Sequence, residues 1–363
     1  MTVKVKLAFV GPMPPPLGGV AVINRSIQSL FCDKYGIELF NTSRGSKREN
    51  LYGRRSLISL IFQAKLFFGY IFFILNTKSK IINIFTGSHF AFFRGFYFLI
   101  VSKIFLKKIV LHVHGKIAGE FFVSDKMLPI YGYMLSKADV VVLLSADHLE
   151  RFGRYLSENT EVIILENFVD SVQLRPGMPA DEVEFLFVGR LSEEKGIYDL
   201  IGALNLIVKK NVRFNVNLIG LAETDSAHDA LLNELRRQNL EDVVTLHGAL
   251  EGEAKYKLFR RCPVLIFTSH FENSPVVLKE ALAAGQIIIS SDISANKKTL
   301  KNSYQNSIFF YKCKDVDDLA AKIINVMDDY ADLKLEFPNI QCPQNSTMEY
   351  AFKTLSECYS RLN

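Results

Sequence analysis

No two of the five cysteines, Cys32, Cys262, Cys313, Cys342 and Cys358, stand in a C-x-x-C pair. An odd, scattered set of this kind argues against both a disulfide framework and a structural zinc site, and suits a reducing cytosol. The first residues also lack a long apolar stretch closed by a small-residue cleavage site: Met1 to Lys6 run straight into a strand pattern, and the chain is expected to stay inside the cell. Compositional excess is missing too. With 49% hydrophobic and 22% charged residues, extended disorder, collagen-like repeats and coiled-coil rods are excluded. What remains is globular, and 363 residues suggest two domains at roughly 150 residues each.

Acidic side chains are almost absent from one long stretch. Residues 43–116 carry 13 Lys and Arg against a single acid, Glu49, interleaved with Phe, Ile and Leu. Residues 1–172 hold 21 basic and 12 acidic side chains, whereas 173–363 hold 22 and 26, so the halves differ in sign. A basic, apolar stretch faces something anionic or lies against a membrane surface, the alternative being a solvated basic face beside an ordinary core. No DNA- or RNA-binding motif accompanies the charge, and no nucleic-acid partner is expected. Leu57 to Leu75 approaches the length that spans a bilayer, about 20 residues. Lys65 at its centre and Gln63 beside it make a span costly, so a helix with an exposed apolar face is expected instead.

Two series of alternating strand and helix patterns follow one another. The first has strand-like runs at 5–10, 37–40, 81–85, 109–113, 140–144 and 162–165, with a helix pattern over 20–31. The segment 171–182, with two prolines and a glycine, reads as a linker. The second has runs at 184–188, 214–219, 243–246, 264–267, 287–289 and 308–311, and a last helix spans about 347–361. Strands separated by helix-length crossovers make parallel sheets, whose ligands gather at the carboxyl ends of the strands.

The residues that carry chemistry stand at such strand ends. Gly18 and Gly19 close the loop after the first strand, where a Gly pair at a helix start lets backbone approach an anion; a tight turn is the simpler reading. The G-x-G-x-x-G dinucleotide fingerprint is absent. His112 and His114 share a strand face, but no third metal ligand accompanies them, so one histidine at the ligand side and one in the core is expected. Arg190 and Lys195, in Gly189-Arg190-Leu191-Ser192-Glu193-Glu194-Lys195-Gly196, suit a diphosphate. Glu272 and Glu280, eight apart around a helix start near Pro275, could meet two ends of one polar ligand, with helix N–H groups between them. An acid and base pair of the glycosidase type is the other reading of two carboxylates, disfavoured by the neighbouring cations. Asp315-Val316-Asp317 is a nominal D-x-D that reads as helix-capping charge.

The order Gly18-Gly19 loop, His114-Gly115 after a strand, G-R-L-x-x-x-K-G at 189–196, and E-x7-E at 272–280 before Ala281-Leu282-Ala283-Ala284-Gly285 resembles the large retaining GT-B glycosyltransferase family called group 1 or family 4. The resemblance covers nearly the whole chain and is stronger in the second half. It implies an α/β fold of GT-B type: two doubly wound Rossmann-like domains facing a central cleft. These would be an acceptor-binding domain over 1–172, a nucleotide-sugar domain over 173–346, and a helix at 347–363 packing back toward the first domain. Asn167-Phe168-Val169-Asp170 resembles the family's N-G-V-D segment, with Phe168 in place of the glycine.

Carried over by residue, the resemblance implies that Arg190 and Lys195 neutralise the donor diphosphate and that Glu280 holds the ribose. Glu272 would hold the hydroxyls of the transferred sugar, with Asn273, Ser274, Pro275 and Val276 beside it. Gly18 and Gly19 would close over the diphosphate, His114 would lie near the donor sugar, and the stretch from His247 to Leu250 would line the base pocket. The activity implied is retaining transfer from a UDP- or GDP-linked sugar to a glycan or polyprenyl-diphosphate-linked acceptor in bacterial surface polysaccharide synthesis, in the cytoplasm or peripheral on the inner membrane face, without a metal or other cofactor. A sugar-nucleotide epimerase or hydrolase, and a partner-binding subunit without activity, are the rival readings. Asn273-Ser274 stands where the family has Gly-Phe or Gly-Thr, and the segments 291–298 and 302–306 replace its later glycine-rich turn. That end of the site departs from the pattern.

Overall fold

The computed structural model describes residues 5–14, 19–43, 57–87, 90–114, 128–174, 183–209 and 214–363. They divide into two compact units, one of residues 1–167 with 348–363 and one of residues 168–347. Gly18 and Gly115 fall outside the described residues.

The first unit runs β1 (Lys6–Gly11), α1 (Gly19–Phe31), β2 (Gly36–Asn41), α2 (Leu57–Asn76), β3 (Ile81–Thr86), α3 (Phe90–Ile104), β4 (Lys108–Val113), α4 (Leu128–Leu135), β5 (Val140–Leu143), α5 (Ala146–Phe152) and β6 (Glu161–Ile164). The second runs β7 (Glu184–Val188), α6 (Ile197–Val208), β8 (Asn215–Ile219), α7 (Asp225–Arg237), β9 (Val244–Leu246), α8 (Gly252–Arg261), β10 (Val264–Phe267), α9 (Val276–Ala283), β11 (Ile287–Ser291), α10 (Ser294–Leu300), β12 (Ile308–Tyr311), α11 (Val316–Asp328) and α12 (Tyr330–Leu333). The chain then returns to the first unit as α13 (Met348–Leu362).

Among the described residues each unit holds one six-stranded sheet, ordered β2-β1-β3-β4-β5-β6 in the first and β12-β11-β10-β7-β8-β9 in the second. Every pairing is parallel, as strand-helix-strand crossovers require. The chain steps from β1 outward to β2 and then crosses back to β3, so right-handed connections put α1 on one face and α2 and α3 on the other. The burial agrees. On one side α1 turns Ile23, Ile27 and Phe31 inward, a four-residue spacing that makes a single stripe, and meets Ala351, Leu355, Cys358 and Tyr359 of α13. Phe31 packs its ring 5.1 Å from those of both Phe352 and Tyr359. On the other side Tyr70 of α2 and Phe98 of α3 lie in one apolar cluster with the sheet, and the buried Tyr70 hydroxyl shares a 2.6 Å hydrogen bond with Ser102. Leu66, Tyr70 and Ile74 thus dock α2 on the sheet, and among the described residues no helix is long and apolar enough to cross a membrane.

In the second unit α6 and α11 cover one face and α8 and α9 the other. β11 outruns its apolar sequence by two serines, which fit a buried strand because their hydroxyls are satisfied: Ser291 donates to Ser269 O at 2.6 Å, and Asn296 donates to Ser290 Oγ at 3.0 Å. Asp315 caps α11 by accepting from the Asp318 N–H at 3.1 Å. The segment read as a linker begins folded: residues 171–174 form a turn on the Asp170 carboxylate, and Leu174 is fully buried in the second unit. Just before it, Val169 bridges to Thr347, so the two passages of chain between the units run side by side.

Candidate functional site

The loop after β7 is fixed by two glycines. Gly220 has φ +151, and a Cβ there would stand 1.7 Å from Gly189 O, so the turns after β7 and β8 touch backbone to backbone. Leu191 N donates to Leu221 O at 3.0 Å across the same contact. Gly196, at φ +68, ends the 3₁₀ turn Glu193–Lys195, and a Cβ on it would meet Thr268 O at 2.2 Å. Thr268 Oγ1 donates to Lys195 O at 2.8 Å, His270 N donates to Glu194 O at 3.0 Å, and His270 Nε2 lies 2.6 Å from Asp199 Oδ2. The β7 loop is therefore clamped to the loop after β10. This clamp brings the Lys195 ammonium onto the Glu272 carboxylate, with both side chains largely withdrawn from water.

Glu280 sits one helix further in. It is buried on α9, and Lys255 of α8 spans its carboxylate with Nζ at 2.6 Å from Oε1 and 2.8 Å from Oε2. The sequence reading missed Lys255. Its signal is a lysine three and four residues before the buried Leu258 and Phe259, which places it on the inward face of α8. Between the two lysine-glutamate pairs α9 begins at Pro275 with no side-chain cap, leaving its first N–H groups to the solvent side or to a ligand. Ser274 and Pro275 are buried there, and Asn273 and Val276 half-buried.

Arg190 does not join Lys195 on a shared partner. It is half exposed and faces carboxylates of its own, Glu223 at 2.7 Å and Glu194 at 3.7 Å. His247 donates from Nε2 to Asn217 Oδ1 at 2.8 Å; burial, and then the nearby Arg261, hold its pKa below the usual histidine value. Leu250 packs against the apolar cluster under α8 and α9.

In the first unit, Gly19 opens α1, and a Cβ there would meet nothing within 4 Å. His112 lies within β4 and His114 just past its end, and their settings differ. His112 is in the core, stacked 4.3 Å from Phe85, with its Nε2 3.2 Å from Asn83 Oδ1, which also accepts from the Tyr359 hydroxyl at 2.8 Å. The Nε2 of His114 is buried with no hydrogen-bond partner among the described residues. Burial, and secondarily His148, pull the His114 pKa down to about 4, so its ring is neutral at physiological pH. Among the described residues no cluster of His, Cys, Asp or Glu could hold a metal ion.

Residues 174–338, which contain both lysine-glutamate pairs, match the family model described as glycosyl transferases group 1. Over that stretch the chain is similar to the group 1 glycosyltransferases. Among curated relatives, the glycogen synthase of Mycobacterium tuberculosis is 26% identical over 219 residues, covering 57% of this chain and 50% of the relative. WcaL of Escherichia coli K12, a glycosyltransferase named for colanic acid biosynthesis, is 24% identical over 196 residues, covering 51% of this chain and 47% of the relative. The matches thus span about half the length of these relatives. Among solved structures, Anabaena Alr3699/HepE in complex with UDP-glucose aligns over 98% of this chain and 99% of its own, with a TM-score of 0.72 at 18% identity. That likeness shows the fold, and the fold is GT-B.

Proposed function

We propose that the chain is a retaining glycosyltransferase that moves a sugar from a UDP- or GDP-linked donor to a glycan or polyprenyl-diphosphate-linked glycan, in the synthesis of a bacterial surface polysaccharide on the cytoplasmic side of the membrane. The observation that carries this reading is the pair of buried lysine-glutamate contacts, Lys195 with Glu272 and Lys255 with Glu280, flanking the uncapped start of α9. The family match over residues 174–338, the UDP-glucose held by HepE and the naming of WcaL support the donor class and the polysaccharide setting.

In this reading Lys195 exchanges the Glu272 carboxylate for a diphosphate oxygen when donor binds. Glu272 is then released to accept hydrogen bonds from the sugar's hydroxyls. Arg190 makes the same exchange from Glu223. Glu280, fixed by Lys255, accepts from the ribose, and the amides of Asn273 to Val276 meet the phosphates at the helix start. His247 and Leu250 are assigned to the base, and the resemblance assigns Gly18 and Gly19 to the diphosphate and His114 to the donor sugar. As the glycosidic bond lengthens, negative charge gathers on the departing diphosphate, and cations already in place stabilise that state more than the ground state. The chain's own lysines and arginine supply this charge, so no metal or cofactor is assigned. Retention follows from attack by the acceptor hydroxyl on the face the phosphate leaves, with a phosphate oxygen taking its proton.

The test is a thermal-shift screen of UDP, GDP, ADP and their common sugars on the parent, Arg190→Ala and Glu280→Ala. A nucleotide that binds only the folded chain raises the midpoint by mass action. One nucleotide should stabilise the parent and neither variant, and the product's anomeric configuration, read by NMR, should match the donor's. Equal stabilisation of all three proteins would place the nucleotide elsewhere and sink the assignment.

A further inference from the structure

α2 presents an apolar stripe to solvent as well as to the sheet. Ile61, Phe68, Phe72 and Leu75 follow helical spacing along its outer side over about 21 Å, and Phe68 and Phe72 are 74% and 70% exposed. Only Lys65, also exposed, interrupts the stripe. α3 lies alongside, with Tyr97 donating to Phe67 O at 3.0 Å and the two rings 4.4 Å apart. Its outer side repeats the pattern with Phe93, Ile100 and Ile104.

The two stripes meet at the ends of their helices. Lys107, after α3, donates to Ser79 O at 2.8 Å and Thr77 O at 3.3 Å, holding the turn after α3 against the turn after α2. At this junction Leu106 is 92% exposed and takes φ +54. The left-handed region favours Gly or Asn, and a leucine there is strained as well as unpacked. The turn closes α3, with Leu106 N on Lys103 O and Lys107 N on Ser102 O, both at 3.0 Å, but the leucine side chain gains no packing from it.

Charge selects what covers this face. From residue 57 to 114 the sequence has seven Lys and Arg and no acid. The acids that approach from neighbouring elements are engaged: Glu38 by Lys6, Thr77 and Ser79, and Asp139 by Lys103 and Lys108. Lys65, Lys78 and Lys80 stand exposed around the stripe. A large apolar face with a rim of one positive sign matches an anionic bilayer surface, where acyl chains take the side chains and headgroups take the cations. We infer that the outer sides of α2 and α3, with Leu106, dock the first unit on an anionic phospholipid bilayer. This goes beyond sugar transfer and stands or falls apart from it.

Vesicle flotation tests it, using phosphatidylglycerol with phosphatidylcholine against phosphatidylcholine alone, for the full chain, the Phe68→Ser/Phe72→Ser double variant and Leu106→Asn. The parent is expected to float with anionic vesicles several-fold better than with neutral ones, and less so as salt rises. The double variant should bind at least tenfold more weakly and Leu106→Asn about threefold. Leu106→Asn relieves the backbone, so its melting midpoint should hold or rise while binding falls, the opposite of a merely structural effect. Failure of the parent to float with anionic vesicles, or flotation unchanged in both variants, overturns the inference. So does a dimer by sedimentation that Phe68→Ser/Phe72→Ser abolishes, which would give the face to a second copy. The nucleotide-induced thermal shift, read in parallel, reports the second unit and separates failure of docking from failure of the proposed activity.

Discussion

Glu280 carries its charge inside the protein only because Lys255 stands 2.6 and 2.8 Å from its oxygens. Removing one member of a buried pair leaves the other uncompensated, at a cost of about 3–5 kcal/mol. Lys255→Met should therefore lower stability by an amount of that order and weaken nucleotide binding. In Lys255→Met/Glu280→Gln the buried charge is gone, so chemical denaturation should recover most of the stability while calorimetry still finds binding lost; recovery of both would make Glu280 structural only. The glycines allow a similar separation. Gly196→Ala forces a side chain into Thr268 O at positive φ and should destabilise by more than about 1 kcal/mol, whereas Gly19→Ala enters open space. Unchanged stability with weakened donor binding in Gly19→Ala would mark a ligand contact; unchanged binding would leave Gly19 a simple helix start. The sequence showed Arg190, Lys195, Glu272 and Glu280 because each sits in a motif of fixed spacing. It hid Lys255, which belongs to no motif and matters only because α8 packs beside α9.

At the scale of elements, the carboxyl end of β4 links two histidines, His112 and His114, to pH. His114 holds its proton only below about pH 4 in the folded protein, against an ordinary value near 6.5, because burial and then His148 oppose its charge; His112 is also held well below its ordinary value, by burial and then by His114. Between these values the unfolded chain binds more protons than the folded one, so stability falls as pH falls from about 6.5 toward 4, by up to about 1.4 kcal/mol per pH unit for each ring. His114→Asn should lose less stability than the parent between pH 7 and pH 5 in urea titrations, and equal losses would show the ring's titration is not coupled to folding. Strands were readable where the chain carries a short, largely apolar run: 184–188, 264–267 and 308–311 match β7, β10 and β12 residue for residue, although only β10 is buried throughout and β12, at the sheet edge, is half-buried. β11 was read two residues short because Ser290 and Ser291 look like loop until Asn296 satisfies them. The turn at 171–174 was read as linker because a single buried Leu174 has no period to reveal it.

Across the whole molecule, the return of α13 to the first unit separates what the C-terminus stabilises from what binds the donor. α13 covers the same sheet face as α1, burying Leu355 and Tyr359 against Phe31, and the Tyr359 hydroxyl reaches Asn83 in β3. Of the residues proposed for the nucleotide, Arg190 to Glu280 lie in residues 168–347, and only Gly18 and Gly19 lie outside them. Losing a helix that buries several large side chains costs more than most domains have in reserve, about 5–15 kcal/mol. Ending the chain at Thr347 should thus melt the first unit while the second still binds the nucleotide. Calorimetry of the truncated chain should show one transition, raised by the stabilising nucleotide, and the helical signal by circular dichroism should fall by far more than the 15 residues of α13 account for. A truncated chain that keeps its remaining helicity would mean that α1 and the sheet hold the first unit without α13. One that loses nucleotide binding as well would mean that the two units fold as a single cooperative body, and that the donor site depends on the strands of the first.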